Sequence, residues 1–128
     1  MSFEEAIQII RDFVTTSRAC SQALRSLKPN TEIRVMVENR VECALFYKDD
    51  QIHFETRLAE SPDVEFTLNL EAIRRMKDMP GENMTELGIE IVKEIVAKNI
   101  HVRVCGTLLG VMRNGYLTII RDAGPDFM

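Results

Sequence analysis

Residues 33–69, IRVMVENRVECALFYKDDQIHFETRLAESPDVEFTLN, decide the fold. Ile33, Val35 and Val37 alternate with Arg34 and Glu38, and Val41, Cys43, Leu45 and Tyr47 alternate with Glu42 and Lys48. Ile52, Phe54 and Leu58 alternate with His53, Glu55 and Arg57; Val64, Phe66 and Leu68 alternate with Glu65, Thr67 and Asn69. Strand side chains point to opposite faces with period two, so these four runs predict a sheet with one apolar and one wetted face. Short turns at Asn39-Arg40 and Lys48-Asp49-Asp50-Gln51 join the first three runs as antiparallel hairpins. Glu60-Ser61-Pro62-Asp63 turns the chain into the fourth, with Pro62 excluding helix just before it.

Outward from this block the periodicity becomes helical. Ser2 and Glu5 have capping-box spacing, and Phe3, Ile7, Ile10, Phe13 and Val14 follow at helical intervals. Ala23, Leu24 and Leu27 continue the stripe to Pro29-Asn30, with a break predicted at Thr15-Thr16-Ser17, three poor helix formers. Leu70 to Met79 reads as a short helix ended by Pro80-Gly81. Asn83 and Glu86 open a longer helix with an apolar stripe of Met84, Leu87, Gly88, Ile91, Val92, Ile95 and Val96, and Asn99 as its left-handed cap. A fifth strand follows, with Ile100, Val102 and Val104 inward, His101, Arg103 and Cys105 outward, and Gly106 closing it. The apolar tail from Thr107 to Ala123, interrupted at Asn114-Gly115, reads as two short helical pieces. The register predicts Arg34, Glu42, Glu55, Arg57, Glu65 and Arg103 exposed and Ile33, Leu45, Phe54, Phe66 and Val102 buried; a one-residue slip would exchange the two sets.

Five strands at ~4.8 Å spacing make a face roughly 24 Å wide, enough for two or three helices packed ~10 Å apart. Four or five apolar helical segments compete for it. The surplus either packs solidly or stands off the sheet, leaving an apolar gap suited to a greasy ligand.

The 128 residues form a single domain, 1–128, long enough to bury a core without staples. A net charge of −4 argues against nucleic acid and anionic membranes as general partners, since both call for concentrated Lys and Arg. Cys20, Cys43 and Cys105 are odd in number and far apart, which reads as free thiols in a reducing compartment. No apolar run approaches the ~18 residues of a membrane span, and the acidic Ser2-Phe3-Glu4-Glu5 start is no signal peptide. A cytoplasmic protein without stable membrane insertion is the expectation.

Asp63-Val64-Glu65-Phe66-Thr67-Leu68-Asn69-Leu70-Glu71-Ala72-Ile73 resembles the strand-into-helix segment of the sterol carrier protein 2 (SCP-2) lipid-binding domain family. Ile100-His101-Val102-Arg103-Val104-Cys105-Gly106 with Leu108-Leu109-Gly110-Val111-Met112 resembles that family's last strand, glycine and final helix; Asn99 stands where a glycine is usual. The resemblance runs from about Phe3 to Met112. It implies an α/β fold of α+β type, a five-stranded, mainly antiparallel sheet covered on one face by helices. It also implies an apolar tunnel for a fatty acid, acyl-CoA, sterol-like or prenyl lipid, and no shared catalytic residue.

The residues themselves carry little reactive chemistry. His53 and His101 fall on the polar face without a third ligand at fixed spacing, so exposed strand histidines are the simpler reading. No serine has nucleophile-elbow context, and Gly106 and Gly110 lack the Lys-Ser or Lys-Thr of a phosphate loop. Nothing calls for a metal or a cofactor. Arg74, Arg75 and Lys77 form a basic cluster that fits a solvated helix face better than a headgroup site. Met76, Met79, Met84 and Met112 suit a surface that repacks around varied ligands, although core filling explains any one of them.

These readings converge on a non-enzymatic carrier of a fatty acyl, sterol-like or isoprenoid ligand. Phe54 and Phe66, taken as inward-pointing on adjacent strands, are the expected floor of its cavity. Met76, Met84, Ile91, Leu109 and Met112 are the expected movable wall. The alternative is an accessory interaction domain of the same fold, supporting a lipid or quinone pathway enzyme or forming a homodimer through its sheet edges and apolar tail.

Overall fold

The computed structural model describes residues 1–105 and 115–116. Its elements run α1 (Phe3–Thr16), α2 (Arg18–Arg25), β1 (Glu32–Val37), β2 (Val41–Lys48), β3 (Gln51–Glu55), β4 (Val64–Leu68), α3 (Leu70–Met76), α4 (Met84–Val96) and β5 (Ile100–Val104). The strands form one sheet in the order β3-β2-β1-β4-β5, antiparallel except for the parallel β1–β4 pair. The expected five-stranded, mainly antiparallel sheet is therefore present.

Register puts the alternating apolar residues on one face. Ile33 pairs with Leu45 and Val64, Val35 with Cys43 and Phe66, and Val37 with Val41 and Leu68. Phe54 extends this face beside Leu45, and Val102 beside Phe66. Ala6, Ile10 and Val14 of α1, Leu24 of α2 and Ala72 and Ile73 of α3 close over it as one buried cluster. The break at Ser17 is real and has a clear cause. The Ser17 hydroxyl accepts the N–H of Cys20 to cap α2 and donates to the Gly81 carbonyl at 2.7 Å, fastening the α3–α4 loop to the α1–α2 corner. Both hairpins turn through paired left-handed residues, Glu38-Asn39 and Asp49-Asp50, the geometry that matches the twist of the strands they join.

Because β4 lies beyond β1, the chain leaving β3 must travel past β2 and β1 to reach it. That connection is strapped down by outward-facing glutamates. Glu42 accepts the N–H of Ala59 at 2.8 Å, and Glu32 accepts the N–H of Glu60 at 2.7 Å while pairing bidentately with Arg57.

Four expectations need correction. Val102 is exposed, because β5 is the edge strand and its middle lies outside the buried cluster formed by the helices. The left-handed residue after α4 is Lys98, not Asn99, whose side chain is committed to Glu94 and Asn69. Of the predicted exposed set, Glu55 and Arg103 are open, but Arg34, Glu42 and Glu65 are half-buried against one another, and Arg57 is half-buried against Glu32. Leu45 and Phe66 are half-buried rather than buried. The expected helical pieces of the tail lie outside the described residues, apart from Gly115 and Tyr116. Those two dock on the end of α2: a Cβ on Gly115 would stand 2.2 Å from the Ser26 carbonyl oxygen, and Tyr116 is buried in the core.

Candidate functional site: the apolar flank beside β4, β5 and α4

Burial across the covered face is uneven, and this locates the candidate site. Under α1 the face is solid. Phe54 is 5% exposed, and Arg11 of α1 closes over it, its guanidinium 5.8 Å from the ring and donating to the Phe54 carbonyl. Towards β5 the packing thins. Phe66 is half-buried, and on β5 Val102 and Val104 are 42% and 51% exposed. Above this side, Met76 and Ile91 are half-buried against the core, and Met84 is half-buried in the first turn of α4.

The expected floor residues are not brought together. Phe54 and Phe66 stand on β3 and β4 with β2 and β1 between them, roughly 14 Å apart at strand spacing. Phe66, Met76 and Ile91 share the thinner half of the molecule, whereas Phe54 belongs to the filled half. Leu109 and Met112 lie outside the described residues.

A polar latch holds α3, α4 and the start of β5 in place at this flank. The buried Glu94 carboxylate accepts from Arg75 Nη1 and from Asn99 Nδ2, both at 2.8 Å. Asn99 in turn accepts from Asn69 Nδ2 at 2.8 Å, and Asn69 caps α3 through Ala72. Burial works against the charged carboxyl, but the Arg75 and Asn99 hydrogen bonds outweigh it and hold Glu94 below the usual carboxylate range. The sequence offered one signal for this latch: position 94 lies three residues after Ile91 and seven after Leu87, on the buried stripe of α4, yet it is charged. Arg75 of the basic cluster is thus an ion-pair partner, and Arg74 pairs with Glu71 at 2.9 Å.

The outer face is a different surface. Arg34 sits between Glu42 and Glu65, at 3.4 and 3.9 Å, and Glu65 also takes Arg103 at 2.6 Å. Arg57 spans Glu32 and Glu55 and lies over the Phe46 ring, which stacks on His53 at 5.0 Å. A groove of about 490 Å³ opens here, lined by polar residues that include Glu32, Lys48, Glu55 and Arg57. The Arg57 hydrogen bonds, set against partial burial, hold the Glu32 carboxyl below its ordinary range.

Reactive groups are dispersed. His53 and His101 sit on β3 and β5, opposite edges of the sheet. Burial pushes the Cys20 and Cys43 thiols up, away from the reactive thiolate. Among the described residues, no three His, Cys, Asp or Glu side chains gather as metal ligands, and no helix is long and apolar enough to cross a membrane.

The UbiJ-SCP2 ubiquinone synthesis protein superposes on 88% of this chain and 86% of its own, with a TM-score of 0.52 and 14% identity. The fold is SCP-2-like. Two structures of the sec-alkylsulfatase PisA1, one from Pseudomonas sp. and one a double mutant, match 73% and 69% of this chain and 13% and 14% of theirs. Their identity is 12% and their TM-scores are 0.46 and 0.44, too slight to carry an argument. No protein-family model and no curated protein matches the sequence. Among the described residues, this flank is where the apolar face of the sheet is least covered.

Proposed function

We propose that this chain is a non-enzymatic lipid-binding module that holds an acyl, sterol-like or isoprenoid chain against Phe66, Val102, Val104, Met76 and Ile91. The single observation behind this reading is the burial gradient: the same apolar sheet face is sealed at Phe54 and open at Val102. Met84, Leu109 and Met112 belong to the proposed wall as well. Covering about 300 Å² of apolar surface would contribute roughly 7 kcal/mol at ~25 cal/mol per Å². Association costs oppose this, so the affinity is micromolar or weaker and selectivity rests on shape rather than on polar contacts.

The test is a fluorescent fatty-acid titration beside a thermal melt. Val102→Asp places a charge on the flank at a position already in contact with water, so the protein stays folded while affinity falls at least tenfold. Ile91→Asp lowers affinity too, with some loss of stability. His53→Ala and His101→Ala, on the outer face, leave binding unchanged. A folded Val102→Asp protein that binds like the wild type would refute this placement.

A further inference from the structure

α4 is apolar on two sides, and only one of them meets the core. Leu87, Gly88 and the aliphatic stem of Glu94 face inward. On a separate side, Ile89, Val92 and Val96 are 40%, 36% and 76% exposed, with exposed Thr85 completing the row. The spacing 85-89-92-96 is four-three-four, the repeat that keeps one seam along a helix facing a partner helix. A solvated helix has no use for this pattern, since a helix touching the core along one stripe is ordinarily polar elsewhere.

We propose that this seam is a self-association surface on which α4 packs antiparallel against α4 of a second copy. The charges beside the seam specify that occupant and that orientation. Glu86, in the first turn, and Lys93, near the last, are both exposed and flank the seam on the same side, seven residues apart. In a two-fold antiparallel pair, Ile89 meets Val92 of the other copy and Thr85 meets Val96. Glu86 of each copy then stands beside Lys93 of the other. Parallel packing would instead put the Glu86–Lys93 flanks of the two copies on opposite sides of the seam, where neither charge finds its partner. Lys93 already holds Glu90 at 3.1 Å, so in the pair it bridges two carboxylates. Opposed helix dipoles favour the same orientation.

A thirteen-residue helix is about 20 Å long, and a seam of that length falls at or below the ~800 Å² per partner of a standard interface. The pair is therefore a micromolar dimer, in exchange with monomer.

Sedimentation velocity on the whole chain, from about 5 to about 500 µM, reads the equilibrium directly. The expected result is a concentration-dependent dimer. Glu86→Lys and Lys93→Glu each weaken it at least tenfold, and the double exchange restores it. Both positions are exposed, so melting temperatures stay close to wild type. A monomer across the whole range overturns the proposal. That includes a monomer in which Val92→Glu melts lower, which would mean that the chain covers its own seam. A dimer indifferent to the single reversals overturns it equally.

Discussion

Arg75→Ala is the sharpest probe of how α3 and α4 are held at the candidate site. Arg75 is itself about half exposed, whereas the Glu94 carboxylate it serves is almost wholly buried. Removing the arginine therefore takes little from Arg75 but leaves a buried carboxylate with Asn99 alone. A hydrogen bond to a charged group is worth about 1.5–3 kcal/mol, and breaking a fully buried pair costs about 3–5. Because Arg75 is the solvent-facing member of this pair, the expected loss falls short of that of a fully buried pair and reads as a Tm lowered by several degrees. The sign of the pH dependence follows from the same geometry. Glu94 is held below its unfolded range, so its contribution is full above the unfolded carboxylate pKa and is lost as pH falls through the lower folded value. Without Arg75, burial dominates and the carboxyl moves the other way, so the variant recovers relative to wild type on acidification. The two urea-derived stability curves should converge below about pH 4. Glu94→Gln, which keeps the shape and accepts from Asn99, should cost only about 1 kcal/mol. An Arg75→Ala protein that melts with the wild type at pH 7 would refute the latch.

Gly115→Ala should destabilise by more than about 2 kcal/mol in urea titrations, because the new Cβ would stand 2.2 Å from the Ser26 carbonyl oxygen at a backbone φ of +95°. A neutral result would mean that Gly115-Tyr116 does not dock there. Glu32→Ala removes the carboxylate that holds both Arg57 and the Glu60 N–H, so hydrogen exchange at Glu60 should accelerate at least tenfold while the core stays protected. In the wild type that protection should persist at about pH 4.5 and fail only below it, since the Arg57 hydrogen bonds depress the Glu32 pKa.

The sheet was legible because one physical rule, alternation, governs it. Every inward residue within β1 to β4 follows that rule, and register then fixes their neighbours; Leu58, read into the third run, lies beyond β3 and is exposed. Strand order is another matter. Nothing in the alternation of Phe54 and Phe66 says that β1 and β2 lie between them, so treating them as neighbours joined two ends of the core. The exposure of Val102 was equally hidden: an inward residue on an edge strand has the same sequence signature as one under a helix, and only the placement of α1 and α4 separates them. Glu94 was legible in principle, as a charge on a buried stripe. Of its partners, Asn99 is five residues away, but Arg75, and the Asn69 that donates to Asn99, come from positions that only the fold brings together.

The two faces of the sheet also differ in what they leave available. On the outer face Arg34, Arg57 and Arg103 are each engaged by glutamates, and the strap consumes the carboxylates of Glu32 and Glu42. A partner docking there would have to break paired charges and supply substitutes in register, so its gain over water would be small. On the flank no such exchange is needed. Val102, Val104, Val92 and Val96 face water without compensating polar contacts, and any apolar surface laid on them gains by displacing that water. Two occupants need not compete, because Ile91 and the Ile89–Val92–Val96 seam point more than a quarter turn apart on α4. A ligand between sheet and helix and a second copy against the helix's outer side are therefore separable. Val102→Asp should weaken the fatty-acid probe, and Lys93→Glu the dimer. Were Lys93→Glu to lower probe affinity as strongly as it lowers association, ligand and second copy would share one surface, and the assignment of separate sides to α4 would be wrong.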